Sequence, residues 1–306
     1  MLNKYPAIEV KNLSKSYRDV KALEDISLVI NRGELFGVIG PDGSGKSTLF
    51  RLLTTLLLPD SGTATVLGYD IVKDYSKIRK VVGYMPGRFS LYGDLSVNEN
   101  LNLFASLFGV TVVENYHLIE HIFKDLAPFG NRKASQLSGG MKQKLALCCA
   151  LIHKPELLFL DEPTTGVDPV SRREFWSMLD LLKLSGITIV VSTAYMDEAL
   201  ICDRIALMKN GRVLSCNTPS EMAASYKNRL LAVWGDNMPS LLRELREISF
   251  VKSAYSFGSE HHVSIKGNNP EYIQEIERYL YTAGHTNFYI KIIPPVIEDC
   301  YMELSS

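Results

Sequence analysis

The sequence has few cysteines and no pattern that groups them. Its 306 residues include five, Cys148, Cys149, Cys202, Cys216 and Cys300, with neither C-x-x-C spacing nor a cluster with histidine. This placement gives no support to a cysteine-ligated metal site. It favours reduced, mostly buried thiols in a protein that faces the cytosol.

Net charge and long apolar segments are also lacking. The 33 Lys and Arg residues nearly balance the 34 Asp and Glu residues, so there is no basic field to hold nucleic acid, and we expect no nucleic-acid partner. No apolar run reaches about 18 residues, and the first ten residues have no signal-peptide core. We therefore expect no membrane span in the chain and membrane association only through a partner. The length predicts two domains.

One stretch has the composition of a phosphate-binding loop. Residues 40–48 read Gly-Pro-Asp-Gly-Ser-Gly-Lys-Ser-Thr, which fits G-x-x-x-x-G-K-S/T between an apolar strand and a helix. Gly43 and Gly45 let the backbone N–H groups face phosphate oxygens at the positive end of the helix dipole. Lys46 would reach the β- and γ-phosphates, and the Ser47 hydroxyl would bind Mg²⁺. The predicted ATP-binding residues of this loop are Gly40, Pro41, Asp42, Gly43, Ser44, Gly45, Lys46, Ser47 and Thr48.

Two carboxylates follow a second buried strand. Residues 157–160 are apolar, which indicates a strand covered on both faces, and Asp161 and Glu162 come directly after them. Open α/β sheets bind ligands at this end of their strands. Asp161 is suited to hold Mg²⁺ and its water, and Glu162 to accept a proton from water attacking the γ-phosphate. A helix-capping acid beside an exposed glutamate is the alternative, which the upstream phosphate loop disfavours.

The remaining pattern predicts a helical insertion and a second domain. Apolar residues at helical spacing between 92 and 151 predict helices inserted into a first domain over 5–226. The order strand, helix, strand, strand, helix, strand predicts a small ferredoxin-like α+β domain over 227–306. His261 and His262 are neighbours on a strand and point to opposite faces, so we interpret them as a solvated strand end and not a metal pair.

The motifs together resemble one family. The phosphate loop, Leu137-Ser138-Gly139-Gly140-Met141, Leu158-Phe159-Leu160-Asp161-Glu162-Pro163 and Gly166-Val167-Asp168-Pro169 occur in this order. Over about residues 5–225 the chain resembles the nucleotide-binding subunit of an ATP-binding cassette (ABC) transporter. The resemblance implies an α/β fold: a P-loop NTPase cassette with a parallel core sheet, an antiparallel β subdomain and a helical insertion.

The resemblance also implies roles that spacing does not. Tyr17 matches the aromatic residue that stacks on adenine, although spacing alone favours a tyrosine that caps the sheet edge. Ser138, Gly139 and Gly140, which alone are typical of a helix cap, match the signature that closes on ATP held by the other subunit of a head-to-tail dimer. Asp168 matches the loop that communicates across that interface.

Further residues are similar to exporter-type ATPases that serve separate permeases. They are the methionine after the signature glycines, residues 195–199 and residues 297–301. The resemblance implies a peripheral protein on the cytoplasmic face of the membrane. ATP binding closes the dimer and Mg²⁺-dependent hydrolysis resets it, which drives the permease. Residues 89–99, beginning at Phe89, match the docking segment for that permease, and the implied substrate is a drug, lipid or polymer.

Two positions depart from the family pattern. Gly87 stands where a glutamine usually contacts Mg²⁺ and the attacking water, and Ala194 stands where a histidine usually contacts the γ-phosphate. We therefore expect intact ATP binding but slow hydrolysis by a homodimer, with Arg88 as a candidate replacement for the glutamine. The alternatives are a regulatory half of a heterodimer and a soluble ABC ATPase outside transport. The tandem cassettes or coiled-coil arms usual in that last class are lacking.

Overall fold

The computed structural model describes residues 5–87, 91–267, 269 and 271–305. The chain divides into two compact units, Met1–Pro219 and Ser220–Ser306. Composition places the boundary at 226, whereas contacts group residues 220–226 with the second unit. There the Cys300 thiol lies 3.5 Å from the Met222 carbonyl oxygen.

Strands of the first unit form two sheets. One is four-stranded with the order β2-β1-β4-β5, and the other is six-stranded with the order β10-β9-β3-β8-β7-β6. The described strands are β1 Ile8–Tyr17, β2 Val20–Ile30, β3 Leu35–Ile39, β4 Ser61–Val66, β5 Tyr69–Asp70, β6 Val82–Met85, β7 Leu157–Asp161, β8 Thr188–Thr193, β9 Arg204–Lys209 and β10 Arg212–Asn217.

The six-stranded sheet positions the candidate site. Five of its strands are parallel, and β10 returns antiparallel to β9 across the predicted Asn-Gly turn. Every residue of β7 is buried, which confirms the prediction of a strand covered on both faces, and every residue of β3 is buried as well. The carboxyl ends of β3, β7 and β8 meet at one edge of the sheet, where the phosphate loop and the two carboxylates follow.

The helices of the first unit include the predicted set between residues 92 and 151. They are α1 Lys46–Leu53, α2 Tyr75–Val81, α3 Val97–Leu107, α4 Val112–Phe123, α5 Gly139–Leu151 and α6 Pro169–Leu184, and α7 Pro219–Ala224 spans the division between the units. Helices α3 and α4 begin earlier than their apolar spacing indicates. Ser96 and Thr111 form capping boxes with Glu99 and Glu114, which satisfy the first backbone N–H groups.

The antiparallel sheet is longer than the sequence predicts. The sequence pattern indicates only short strands, at residues 8–10 and 27–30, whereas β1 and β2 have 10 and 11 residues, and β1 includes Lys15, Ser16 and Tyr17. Their pairing shifts register between Val10 and Leu13 and again beyond Leu13. These irregularities interrupt the alternation of apolar and polar residues that identifies a strand.

The second unit has the predicted ferredoxin-like arrangement. Its sheet has the order β12-β13-β11-β14 and is antiparallel throughout. The elements are β11 Arg229–Gly235, α8 Met238–Glu247, β12 Val251–Phe257, β13 Glu260–Ile265, α9 Glu271–Thr282, β14 Phe288–Ile293 and α10 Ile297–Leu304. Apolar residues of α8, α9 and the sheet form the core of this unit.

The interpretation of His261 and His262 as a solvated strand end was wrong. They point to opposite faces of β13, but they are only 2% and 3% exposed. His261 Nε2 lies 2.8 Å from the carbonyl oxygen of Met238 in α8, and His262 Nδ1 lies 2.7 Å from Asp299 Oδ1 in α10. Helices therefore cover both faces of the sheet at this point, which the strand pattern alone does not reveal.

The cysteines agree with the expectation from their placement in the sequence. Cys148, Cys149, Cys202 and Cys300 are buried and Cys216 is partly buried, all as free thiols. Burial raises the pKa of the Cys149 thiol. Within the described residues, no helix has both the length and the apolar composition needed to span a bilayer.

Asn100 fixes the segment that leads into α3. Its side chain is fully buried and binds four backbone groups, accepting from Tyr92 N and donating to the carbonyl oxygens of Tyr92, Leu95 and Ser96 at 3.0–3.2 Å. Replacing Asn100 by leucine removes the acceptor of the Tyr92 N–H and the side-chain bonds to three carbonyl oxygens, which keep their backbone partners. We therefore expect it to destabilise the first unit by about 1–3 kcal/mol. Urea unfolding followed by fluorescence measures the loss.

Asn102→Leu is the control for this prediction. Asn102 lies on the same helix but is exposed, so its replacement is expected to change stability by less than about 0.5 kcal/mol. Equal unfolding midpoints for the two variants would contradict the role assigned to Asn100.

Candidate functional site

The predicted phosphate loop lies between β3 and α1. Gly43 and Gly45 have φ of 77° and 104°, a left-handed conformation that favours glycine. A β-carbon on Gly45 would lie 2.5 Å from the Ala22 carbonyl oxygen in β2, so a side chain does not fit there. The hydroxyl of Ser44 is buried and has no hydrogen-bond partner within the described residues. The loop is thus tightly curved, and the hydrogen-bonding capacity of the Ser44 hydroxyl is unused.

Lys46 lies under this loop. It is 3% exposed, and its Nζ donates to the carbonyl oxygens of Gly40 and Pro41 at 2.8 and 3.0 Å. The same ammonium group forms an ion pair with Glu162 Oε1 at 3.1 Å. The structure therefore brings together the lysine of the loop and a glutamate that lies 116 residues later (162 − 46).

Asp161 connects the loop to the end of β7. It is 3% exposed, and its Oδ1 accepts hydrogen bonds from Ser47 Oγ at 3.1 Å and Ser192 Oγ at 2.6 Å. Ser192 is opposite Asp161 in the parallel pairing of β7 with β8. The Ser47 hydroxyl and the Asp161 carboxylate thus form a compact pair of oxygen donors.

Glu162 has an unusual backbone conformation. Its φ is 49°, which non-glycine residues rarely adopt, and its N–H donates to Ser192 Oγ at 2.9 Å. Thr165 Oγ1 lies 3.5 Å from Glu162 Oε2. These contacts direct the carboxylate toward Lys46. Ser192 was not predicted as a site residue; its signal was a hydroxyl that directly follows the apolar residues 189–191.

Ser138, Gly139 and Gly140 lie beside the start of α6. Ser138 caps α5 by accepting from Met141 N at 3.3 Å, and Ser138 and Gly139 are exposed. A β-carbon on Gly140 would lie 2.9 Å from Ser171 Oγ in α6. Within the described residues, no hydrogen bond joins this triplet to residues 40–48 of the same chain.

Asp168 caps α6 on the same surface. Its Oδ1 accepts from Val170 N at 3.1 Å and from Ser171 N at 3.0 Å. The Ser171 backbone hydrogen bond, foremost, lowers the pKa of Asp168. The structure thus groups Asp168 with the signature residues, apart from the phosphate loop.

Tyr17 lies at the end of β1 and is 42% exposed. It pairs with Val20 across the turn into β2, the strand whose Ala22 lies against Gly45. An exposed aromatic ring therefore occurs on the hairpin that borders the phosphate loop.

The two departures from the family pattern lie next to the site. A β-carbon on Gly87 would lie 3.0 Å from the Asp161 carbonyl oxygen and 3.7 Å from Glu162 Cβ, so position 87 adjoins both acidic residues. Ala194 directly follows Thr193, the last residue of β8. Neither residue offers a polar side chain. Arg88, the candidate replacement, lies outside the described residues, as does Phe89.

The Glu198 carboxylate binds side chains from three segments near the site. Glu198 was not predicted as a site residue. It is buried, and its carboxylate accepts from Thr164 Oγ1 at 2.8 Å, from Thr193 Oγ1 at 2.5 Å and from Arg172 Nη2 at 2.9 Å. The Arg172 guanidinium also lies 4.2 Å from the centre of the Tyr195 ring. One carboxylate thus links the segment after β7, the end of β8 and α6.

An apolar cleft of about 330 Å³ lies beside β6, between α3 and α5. Its lining includes Tyr84, Met85, Leu91, Phe104 and Phe108. Burial and then the Asp161 carboxylate raise the pKa of Tyr84 to about 12. The cleft therefore adjoins both residue 91 and the strand that leads to Gly87.

Comparisons with known proteins agree with this geometry. The family model described as ABC transporter matches residues 23–165. The chain is 39% identical over 256 residues to the "Probable multidrug ABC transporter ATP-binding protein YbhF" of Escherichia coli, covering 83% of this chain and 43% of that protein. The chain thus spans less than half the length of that relative.

Two further proteins are similar over most of their own length. The Nod factor export ATP-binding protein I of Sinorhizobium fredii is 34% identical over 310 residues, covering 98% of this chain and 86% of that protein. A solved dimeric ATP-binding cassette in a post-hydrolysis state, bound to ADP and Pi, matches with a TM-score of 0.63 and 27% identity, covering 69% of this chain and 98% of that chain. On its sequence, its fold and the arrangement of its motifs, the chain belongs to the ABC transporter family.

Proposed function

We propose that the chain is the ATP-binding subunit of an exporter-type ABC transporter that drives a separate membrane permease. The observation that carries this proposal is the meeting of Lys46, Ser47, Asp161 and Glu162 at one edge of the parallel sheet. A loop lysine, a hydroxyl and two carboxylates at this position are the groups that phosphoryl transfer requires. The printed names of the relatives, which include drug resistance and Nod factor export, support a drug, lipid or polymer as the substrate class.

ATP binds at the loop of residues 40–48 in this proposal. The backbone N–H groups at the start of α1 and the Lys46 ammonium hold the phosphates. Tyr17, exposed on the hairpin that borders the loop, stacks on the adenine ring.

Ser47 and Asp161 fit a magnesium site. Their oxygens lie 3.1 Å apart, and Mg²⁺ is commonly held by one or two protein oxygens together with phosphates and water. When bound, Mg²⁺ neutralises charge on the phosphates. Ser192 keeps the Asp161 carboxylate in position through its 2.6 Å hydrogen bond.

Glu162 is the general base. Its carboxylate takes the proton from the water that attacks the γ-phosphate, a role that requires hydrogen-bond reach of that water. Its ion pair with Lys46 supports this role, because the lysine holds the phosphates in this proposal.

A second cassette completes the site. Ser138, Gly139 and Gly140 lie on an exposed surface with Asp168 and make no hydrogen bond to their own phosphate loop within the described residues. We assign them to the ATP of a partner in a head-to-tail dimer. The dimeric solved cassette supports this assembly.

The permease docks at the apolar cleft beside residues 91–99. The lining of Leu91, Phe104 and Phe108 suits an apolar helix or loop from a membrane subunit. The chain acts at the cytoplasmic face of the membrane through this contact. Movements of the docked permease reach the site through β6, which leads to Gly87.

We expect slow ATP turnover by this chain because Gly87 and Ala194 lack the polar side chains usual at these positions. Loss of one positioned polar group commonly lowers a rate by about 10² to 10³, although paired effects do not simply add. These two residues also favour the second candidate function, in which the chain is the regulatory half of a heterodimer and its signature serves a competent partner.

The first test is steady-state ATP hydrolysis by the purified chain. Glu162→Gln removes the base while keeping the shape of the side chain, so we expect turnover to fall about 100-fold or more with nucleotide affinity retained. Glu120→Gln, an exposed change on α4, is the control and is expected to keep wild-type turnover. If wild-type turnover does not exceed that of Glu162→Gln, the active homodimer is rejected in favour of the regulatory half.

Restoring the missing polar groups tests the cause of slow turnover. Gly87→Gln combined with Ala194→His is expected to raise the rate at least about tenfold in single-turnover kinetics. The matched control, Gly87→Leu with Ala194→Leu, adds bulk without hydrogen-bonding groups and is expected to give no increase. A rate for the restored variant equal to that of the wild type would show that the two residues do not limit hydrolysis.

Glu198→Gln tests whether Glu198 positions the site. The change keeps the shape but weakens the bonds to Thr193 and Arg172, so we expect kcat to fall about tenfold with KM for ATP changed less than twofold. Glu198→Asp retains the negative charge, so we expect it to recover part of the kcat lost in Glu198→Gln. Equal losses of stability and activity in both variants would indicate a structural role alone.

A further inference from the structure

A second cavity lies at the opposite edge of the six-stranded sheet from the nucleotide site. Its volume is about 660 Å³, and it is bordered by α4, the end of α5, α6 and the residues that precede β7 and β8. Strand β7 separates the two edges by about 16 Å, since it has five residues of about 3.3 Å each. None of the cavity residues contributes to the proposed ATP site.

The floor of this cavity is apolar. It is formed by Leu118, Ile122, Leu151, Met178 and Leu182. Small-molecule sites in proteins are typically concave, of about 300–1,000 Å³, and mostly apolar with a few polar groups. The cavity has the size and the lining of such a site.

The polar groups of the cavity carry an excess of positive charge. Arg32 and Lys154 line it together with His117 and His121, whereas Glu156 is the only carboxylate among the described lining residues. Glu156 is already paired, because its Oε2 lies 3.1 Å from Arg32 Nη1. Within the described residues, Lys154, His117 and His121 form no ion pair.

Arg32 also has an unused donor. Its Nε is buried and has no hydrogen-bond partner in the described part of the chain. Buried N–H groups are costly to leave unpaired, so each calls for an acceptor. No atom the size of water reaches this Nε, so a ligand in the cavity contacts the remainder of the Arg32 side chain, which is 28% exposed, beside the excess positive charge.

We propose that this cavity binds an amphipathic organic anion. The apolar body of the ligand lies against Leu118, Met178 and Leu182. Its carboxylate, sulfonate or phosphate ester lies against the exposed part of the positively charged Arg32 side chain, and Lys154 adds favourable charge. The proposal does not rest on the proposed function, because the two sites share no residue.

The probe for this site is 8-anilinonaphthalene-1-sulfonate, which joins an apolar ring system to an anion. It is titrated by fluorescence into the full chain with saturating ADP, which occupies the nucleotide site. N-phenyl-1-naphthylamine, the same ring system without the sulfonate, is the uncharged comparison.

Arg32→Gln is expected to weaken binding of the sulfonate about tenfold and to change binding of the uncharged probe less than twofold. Lys124→Gln, a loss of exposed positive charge directly after α4 and outside the cavity, should change neither.

Filling the cavity gives an independent test. Leu118→Trp is expected to abolish binding of both probes, and Leu181→Trp at the exposed part of the lining serves if the first variant unfolds. Val113→Trp is the matched control, because Val113 lies on α4 but is 87% exposed and outside the cavity. Sulfonate binding that survives both filling variants, or that ADP abolishes, would overturn the proposal. An Arg32→Gln variant that weakens binding of both probes equally would also overturn the proposal. The same holds if the probes do not bind at 1 mM.

Discussion

The hydroxyl of Ser192 holds together the end of β7, on which the candidate site depends. It donates to the Asp161 carboxylate and accepts from the Glu162 backbone, so one side chain fixes two consecutive acidic residues. Glu162 has a left-handed backbone, a conformation that costs about 1–3 kcal/mol and persists only where neighbouring contacts hold it. The parallel register of β7 with β8 sets Ser192 opposite Asp161. Strand pairing thus determines where both carboxylates point.

Most of the site could be predicted because its signals are local. The glycine positions of the phosphate loop determine its curvature, and an apolar strand that ends in two acids has little freedom in a parallel sheet. The approach of Lys46 to Glu162 followed from the rule that such strands end at one edge. Glu198 could not be predicted in the same way. Its partners Thr164 and Arg172 lie 34 and 26 residues away, and no spacing rule connects them.

The errors in the fold share another cause. The first two strands were predicted too short because irregular pairing interrupts their alternation, as at Val10 and Leu13. The histidines of β13 were placed in solvent because the sequence of a strand does not tell which helices will cover it. Asp299 lies 37 residues beyond His262. In both cases the missing information concerns contacts between segments that are distant in the sequence. The order of strands and helices in the ferredoxin-like unit, in contrast, could be predicted from periodicity.

The ion pair between Lys46 and Glu162 connects the lysine of the phosphate loop to the proposed general base. The ammonium holds the carboxylate that we propose as the general base, and the lysine side chain is only 2% exposed. In the proposed reaction, a bound phosphate competes with Glu162 for the Lys46 ammonium. Binding of the substrate and release of the proposed base would then be a single event.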